Sequence, residues 1–284
     1  MKISIVTINY NDAEGLRKTL ASVAEQTYRD IEHIIIDGGS TDGSVEVILE
    51  YVASNQSNKV NDPFFKHTIK WISEKDDGIY NAMNKGIRKA TGSYIQILNS
   101  GDLLISDDII QRMMSIIEEK QYPELLYGNA VDIYEGKRIS SHGPGIEYSL
   151  LQLYRATYPH ESTFFRRDMF DNKQYGLYDE NLKIVSDWKW YLKAIGLGNI
   201  KPIYVDVDVM LFDVTGISST NKDLDKQERR QVLEEVLPIT ILRDLDNYAF
   251  PISQYQRLKK YHLWGVVYFM ERVLFKLEKW HILK

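Results

Sequence analysis

Short apolar blocks occupy positions 3–9 (ISIVTIN), 31–37 (IEHIIID), 68–73 (TIKWIS) and 94–98 (YIQIL). Between them, at 13–26, 43–53, 79–90 and 107–120, apolar residues recur every three or four positions. The blocks predict strands and the longer period predicts amphipathic helices. Their alternation is the pattern of an α/β fold, a mostly parallel sheet with helices on its faces. The polar stretch 55–63 (NQSNKVNDP) predicts a surface loop or insertion. Beyond 125–134 the pattern loosens, and the Gly/Pro-containing segment 140–145 (SSHGPG) predicts a mobile loop over a site. From about Asp223 the chain predicts helix to its end, which divides it into a main domain over 1–220 and a helical extension over 221–284.

Two of the apolar blocks stop at acidic, glycine-containing turns, IIID-GGSTDGS at Asp37 and QILN-SGD at Asn99 and Asp102. In an open α/β sheet the crevice beyond the carboxyl ends of the strands is where ligands bind. A carboxylate at Asp37 either closes its turn or accepts a hydrogen bond from a nucleobase edge, such as the imide N–H of uracil. Asp42, directly before the helix expected at 43–53, reads as a first-turn helix acid. The segment from Ser73 to Asp102 is dense in polar groups that a core has no use for. Asn81, Asn84 and Lys85 lie near one another on one helix, and Gly86 and Gly92 permit close approach of helix and backbone. A solvated helix face would explain the charges alone. It would not explain why the polar run begins and ends at strand termini. Asp76 or Asp77 could reach a base or ribose, and Asp102 suits Mg²⁺ or Mn²⁺, which take oxygen ligands from one or two carboxylates plus substrate phosphates.

Composition narrows the classes. The 284 residues are 44% hydrophobic and 26% charged, enough to bury a sizeable core. The net charge of −5 gives no global basic field for nucleic acid, and the absence of cysteine removes disulfides, thiolate metal sites and cysteine nucleophiles. The opening MKISIVTINYND alternates like a strand and lacks the apolar core of a secretory signal, so a cytoplasmic address is expected. LWGVVYFM, at 263–270, is far short of the roughly 20 residues of a spanning helix. From Arg257 to Lys284 seven Lys or Arg stand against two Glu, interleaved with Tyr261, Trp264, Tyr268, Phe269, Phe275 and Trp280. Such a helix suits either a peripheral membrane contact or packing on the main domain or across a homodimer interface.

Taken in order, ISIVTINYN, IDGGSTDGS, NKGIRKATGSYIQILNSGD and VSDWKWYLK resemble family 2 of the inverting nucleotide-sugar glycosyltransferases, of the GT-A fold, over about the first 215 residues. The resemblance implies that Thr7, Asn9, Tyr10 and Asp37 cradle the nucleobase, with Asp76 in the same pocket. Asn84, Lys85, Asn99 and Ser100 are carried along as donor-binding residues. The family's acidic metal motif falls on Asn99-Ser100-Gly101-Asp102, which leaves Asp102 as the one charged ligand for Mn²⁺ or Mg²⁺. The family's catalytic base falls on Asp187, whose bland alternative is an N-cap acid of a helix over 188–195. His160 occupies a place where relatives often carry His, and is expected on the acceptor or phosphate side of the cleft, or as a structural hydrogen-bonder. Arg166 and Arg167 could meet a diphosphate or lie on the surface.

The expected function is transfer of a sugar from a nucleoside-diphosphate donor, UDP by preference, to a hydroxyl of a glycan or polyprenyl-linked glycan in bacterial surface-polysaccharide assembly. Inversion needs one carboxylate to take the acceptor proton and one cation to stabilise the departing diphosphate, with no nucleophile. Two other classes remain. A sugar nucleotidyltransferase would show a Gly- and Lys/Arg-rich loop at its first strand, which Asn9-Tyr10-Asn11-Asp12 is not. A non-catalytic nucleotide-sugar or glycan-binding module is favoured by the thinned Asn99–Asp102 motif.

Overall fold

The computed structural model describes residues 1–61, 67–134, 137–142, 149–213, 221–261 and 264–279. These condense into two units, Met1–Val232 and Leu233–Lys284.

The first unit is built on a nine-stranded sheet. Strands β1 (Ile3–Asn9), β2 (Ile31–Asp37), β3 (Thr68–Ser73) and β4 (Tyr94–Asn99) are all parallel, in the order β3-β2-β1-β4. The order continues through β8 (Thr163–Arg166), β6 (Leu125–Tyr134), β9 (Ile203–Asp213) and β5 (Leu103–Leu104), with β7 (Lys137–His142) paired to β6. β8 runs antiparallel to β4, and β6 parallel to β9. β1 and β2 are buried at every position, as expected for parallel strands covered on both faces.

Helices α1 (Ala13–Ala24) and α2 (Ser44–Asn61) cover one face, where Leu16, Leu20, Val47 and Ile48 pack with Ile35. α3 (Ile79–Lys89) covers the other. It comes so close that a Cβ at Gly86 would lie 2.2 Å from Val6 Cγ1, so this crossing requires glycine. A larger cluster gathers Ile5, Val23, Leu98, Met113, Leu126, Phe164 and Met210 under α4 (Ile109–Glu119). Fully burying one such aliphatic side chain is worth about 1.5–3 kcal/mol, which is what pins the strands in register.

Register sets the site. Ser73 pairs with Asp37, Asp37 with Asn9, and Ile8 with Asn99, so the polar ends of β3, β2, β1 and β4 form one edge. The chain moves outward from β1 through β2 to β3 and then returns to the other side of β1 with β4, leaving a crevice at the β1/β4 reversal.

The structure corrects several expectations. α2 continues to Asn61, so most of the stretch expected as a loop at 55–63 is helix, and its last two residues lie outside the described residues. No Gly or Pro interrupts that helix before Pro63, and Asn55 is buried, with its amide hydrogen-bonded to His67 O. Residues 140–142 belong to β7, and the rest of 140–145 lies outside the described residues. The helix expected over 188–195 starts at Ser186 as α6 (Ser186–Tyr191) and passes into a π-helical turn, Leu192–Leu197.

After α5 (Leu150–Arg155), the 3₁₀ turn Arg167–Asp171 and α6 comes α7 (Lys222–Val236), which closes the first unit. The second unit holds α8 (Ile239–Lys260) and α9 (Trp264–Lys279), with Phe250, Tyr268, Phe269 and Phe275 each more than half exposed. Among the described residues, no helix is long and apolar enough to cross a membrane.

Candidate active site

At the β1/β2 edge Asp37 is fully buried and its carboxylate is heavily bonded. Oδ1 accepts from Asn9 Nδ2 at 2.8 Å and Ser40 Oγ at 2.5 Å; Oδ2 accepts from Ser73 Oγ at 2.6 Å and the Ser40 N–H at 3.0 Å. Burial pushes the carboxyl up, but these four donors outweigh it and hold the group below the usual carboxylate range. Asn9 thereby keeps its amide aimed at Asp37 while its buried Oδ1 has no hydrogen-bond partner. Next to this pair Tyr10 is 69% exposed, and its ring edge and Asp76 Oδ2 both lie just over 3 Å from where a Cβ on Gly38 would stand. Asp76 binds Lys85 Nζ at 2.6 Å, and Lys85 also reaches Glu74 at 2.8 Å. Burial, with Glu74 and Asp37 nearby, leaves the Asp76 carboxyl above its ordinary value despite Lys85. Of the two acids Asp76 and Asp77, Asp76 is the one that lies beside Gly38 and Asp37; Asp77 is exposed just before α3.

Two residues expected here point elsewhere. Thr7 is wholly buried, its hydroxyl 2.9 Å from His33 Nε2, whose Nδ1 lies 2.8 Å from Tyr51 OH. It lies two positions before the strand end, so its side chain serves the core. Asn84 is also buried; its amide donates to Tyr178 O and Glu180 Oε1, and its Oδ1 accepts from the Tyr178 N–H. Asn81 joins it on Glu180 Oε2 at 2.6 Å. These asparagines bracket the segment leading to α6 rather than facing a ligand. Asp42 acts as a cap, accepting from the N–H groups of Ser44 and Ala13. Arg166 and Arg167 lie at the far end of the sheet, Arg166 pairing with Asp168 and Glu124 and Arg167 bonding Gly92 O.

Across the crevice, the turn Asn99-Ser100-Gly101-Asp102 is stapled to α1 by one hydroxyl. Thr19 Oγ1 donates to Asp102 O at 2.8 Å and accepts from the Gly101 N–H at 3.0 Å. Gly101 has φ 94°, a left-handed conformation that a third acid in this motif would adopt only under strain. Asp102 is buried, and Asn99 Oδ1 is buried with no hydrogen-bond partner. No group of three His, Asp or Glu among the described residues is arranged to enclose a metal ion. Two oxygen donors at one strand end fit a hard divalent cation that completes its shell with substrate phosphates and water.

His160 lies three residues before the start of the antiparallel β8, which pairs with β4. Its Nδ1 is 3.3 Å from Glu161 Oε1 and 3.6 Å from Asp187 Oδ2, while the buried Nε2 has no hydrogen-bond partner. Burial alone would depress the imidazole, but Glu161, Asp187 and Asp102 push it up to about 9, so it is an imidazolium at neutral pH. Asp187 shows the reverse: burial raises it, and His160 with the Tyr80 hydroxyl, 2.8 Å from Oδ1, brings it below the ordinary value. Burial also pushes the Glu161 carboxyl up, opposite in direction to Asp187. Sequence reading missed Glu161, Tyr80 and Ser73. Adjacency to His160 and to the strand end were the signals for the first and last, and Tyr80 had none.

The arrangement combines a polar strand edge, an oxygen-rich turn and a buried carboxylate beside an imidazole. Comparison with known proteins agrees. Residues 4–174 match the family model described as Glycosyl transferase family 2. The chain is 32% identical over 221 residues to an uncharacterized glycosyltransferase of Mycobacterium tuberculosis, covering 76% of this chain and 77% of that one. It is 27% identical over 228 residues to a PGL/p-HBAD biosynthesis glycosyltransferase of Mycobacterium bovis, covering 80% and 82%. In fold it is similar to S. aureus TarS 1–349 in complex with UDP (TM-score 0.62, 17% identity, 91% of this chain and 74% of that one). It spans only 42% of a longer TarS chain. It is also similar to the mannosyltransferase PcManGT from Pyrobaculum calidifontis in complex with GDP-Man and Mn²⁺ (TM-score 0.61, 17% identity, 88% and 69%). The fold is GT-A, and the chain belongs to glycosyl transferase family 2.

Proposed function

We propose that this glycosyltransferase moves a sugar, with inversion, from a nucleoside-diphosphate donor to a hydroxyl of a glycan or lipid-linked glycan in bacterial surface-polysaccharide assembly. The observation that carries it is the buried Asp187 carboxylate 3.6 Å from His160 Nδ1, at the crevice that the Asn9–Asp37 edge opens onto. The nucleobase lies against Asp37, Asn9 and Asp76 with Tyr10 as a stacking face, and Lys85 and Ser100 line the donor side. UDP is the first choice because the unpartnered Asn9 Oδ1, held in place by the fully bonded Asp37 carboxylate, suits the imide N–H of uracil. The molecules bound in structural neighbours, UDP, UDP-GlcNAc and GDP-Man, support a nucleotide-linked donor.

Asp187 takes the proton of the acceptor hydroxyl as its oxygen bonds the anomeric carbon and the bond from that carbon to the diphosphate oxygen breaks. The electron pair leaves on the diphosphate. His160, cationic and with Nε2 free of protein partners, is placed on the phosphate side, where it holds Asp187 ionised through Nδ1 and offers Nε2–H to the leaving group. Asp102 and Asn99 would hold a divalent cation, whose chemistry there would be further charge neutralisation of the diphosphate. The catalytic portion is assigned to the first unit, Met1–Val232, which runs past the boundary at 220 expected from sequence, and the helical extension to Leu233–Lys284. The exposed Tyr268, Phe269 and Phe275 among basic residues support a peripheral contact with a membrane's cytoplasmic face, or a contact between two copies of the chain.

Calorimetric titration with UDP, GDP and dTDP, each with Mn²⁺, Mg²⁺ or excess EDTA, tests the reading. Metal-dependent binding of one nucleotide is expected. Binding with no turnover of any donor, in the wild type, would favour a non-catalytic module.

A further inference from the structure

Just ahead of α6 the main-chain N–H groups of Lys183, Ile184 and Val185 converge on a single side chain from a distant part of the chain. Glu228 of α7 accepts from Lys183 N at 2.7 Å, Ile184 N at 2.9 Å and Val185 N at 3.3 Å, and it is itself 5% exposed. Helix starts leave N–H groups without intrahelical partners, and a carboxylate there is favoured both by those donors and by the helix dipole. No local side chain does this for α6: its N-cap, Val185, makes no side-chain cap bond, and the Ser186 hydroxyl accepts instead from the Asp179 N–H.

The same segment carries Asp187. Tyr80 donates both to Ile184 O and to Asp187 Oδ1, so the carbonyl one residue from Val185 and the carboxylate share one hydroxyl. The neighbouring Arg229 places its guanidinium 4.6 Å from the Trp188 ring centre, and Trp188 Nε1 donates to Leu153 O at 2.6 Å. α7 therefore grips α6 at its first turn from two adjacent positions, one through main-chain donors and one through a ring face.

We propose that Glu228 is a positioning residue for catalysis, holding the 183–185 segment so that the carboxylate of Asp187 faces His160 and Tyr80. The proposal rests on the reading of Asp187 as the base. It places part of the catalytic apparatus in a helix that lies beyond the family-matched segment 4–174. Glu228 touches no substrate in this scheme. Its three bonds fix a backbone whose next side chain but one does the chemistry.

The test uses the full chain labelled with ¹³C at histidine Cε1, following the His160 resonance against pH. The Asp187 carboxylate is one of the groups that raise His160, so turning it away lowers the midpoint. In Glu228→Gln one oxygen becomes an amide that opposes the N–H donors. The expected result is a His160 midpoint lowered from about 9 by roughly half a unit or more, with UDP affinity in Mn²⁺ within about twofold of wild type. Glu228→Asp, which keeps the charge but retracts it, is expected to shift the midpoint less in the same direction, and it stands in if the glutamine variant does not fold. Asp187→Asn calibrates the shift. An unchanged His160 midpoint in folded Glu228 variants, where Asp187→Asn does shift it, overturns the proposal. So does a loss of UDP affinity equal to the loss of turnover. Turnover surviving in Asp187→Asn instead defeats the base assignment, while the Glu228-dependent shift would still show the mechanical coupling.

Discussion

The two sides of the crevice solve opposite problems. On the β1/β2 side every oxygen of Asp37 is occupied by neighbours within the sheet edge, and the charge is dispersed over Asn9, Ser40 and Ser73. On the β4/β8 side Asp187, His160 and Glu161 meet as buried charges at ion-pair rather than ideal hydrogen-bond distances, and His160 Nε2 is left unpaired. A recognition surface benefits from groups already locked in one geometry, because little ordering remains when the ligand arrives. A reacting centre benefits from charges whose best partner is the transition state. The difference therefore predicts which substitutions affect affinity and which affect rate.

The largest expected effect is on rate alone. Asp187→Ala removes the proposed base and is expected to lower transfer by about 10²–10⁴-fold, with nucleotide affinity nearly unchanged; initial rates and calorimetry on the same preparation check it. Equal loss of both would erase the distinction between the two sides. His160→Gln comes next, with transfer reduced about 10–100-fold, the range of a removed charged donor to a leaving group. The wild-type rate is expected to fall as pH drops through the depressed Asp187 value and again as it rises through about 9, and the variant to lose the alkaline limb. A full pH–rate profile decides.

Asp37→Ala should act on binding, raising the UDP dissociation constant about tenfold or more, as loss of a charged hydrogen bond does. A smaller effect falls on folding. His160 is raised from the ordinary 6.5 to about 9, so its charge contributes stability that is complete below about pH 6.5 and is lost as pH climbs through 9. Thermal unfolding from pH 6 to 10 should show a fall in Tm that His160→Gln flattens. Tyr10→Ala is the mildest, an exposed stacking face worth about 0.5–1.5 kcal/mol, and should weaken nucleotide binding a fewfold without touching rate.

The polar strand edge proposed for recognition was readable from sequence because its parts are local. Each of Asn9, Asp37 and Asn99 ends an apolar run, and the parallel register then brings them level. Which side chains face outward was not: Thr7 and Asn84 sit in the right elements, but one bonds His33 and the other Tyr178 and Glu180. Strand alternation puts Thr7 on the same face as Asn9, and only packing shows that a residue two positions earlier lies beneath α2. The reacting side was readable only as isolated residues. Its geometry depends on contacts from Tyr80 to Asp187 and from Glu228 to the 183–185 backbone, across separations that leave no periodic trace.

The Thr19 staple carries one more consequence. It fastens the Asn99–Asp102 turn to α1, and the start of α1 is fastened in turn to the β2 edge, through the Ala13 N–H on Asp42 and the Asn11 N–H on Ser40. A cation at the turn and a nucleobase at the β2 edge, as proposed, would thus lean on one helix at two points. Any tightening that one ligand confers on the other is returned in equal measure, so the two should load and unload as a pair, and an emptied turn should loosen the grip on the departing nucleotide.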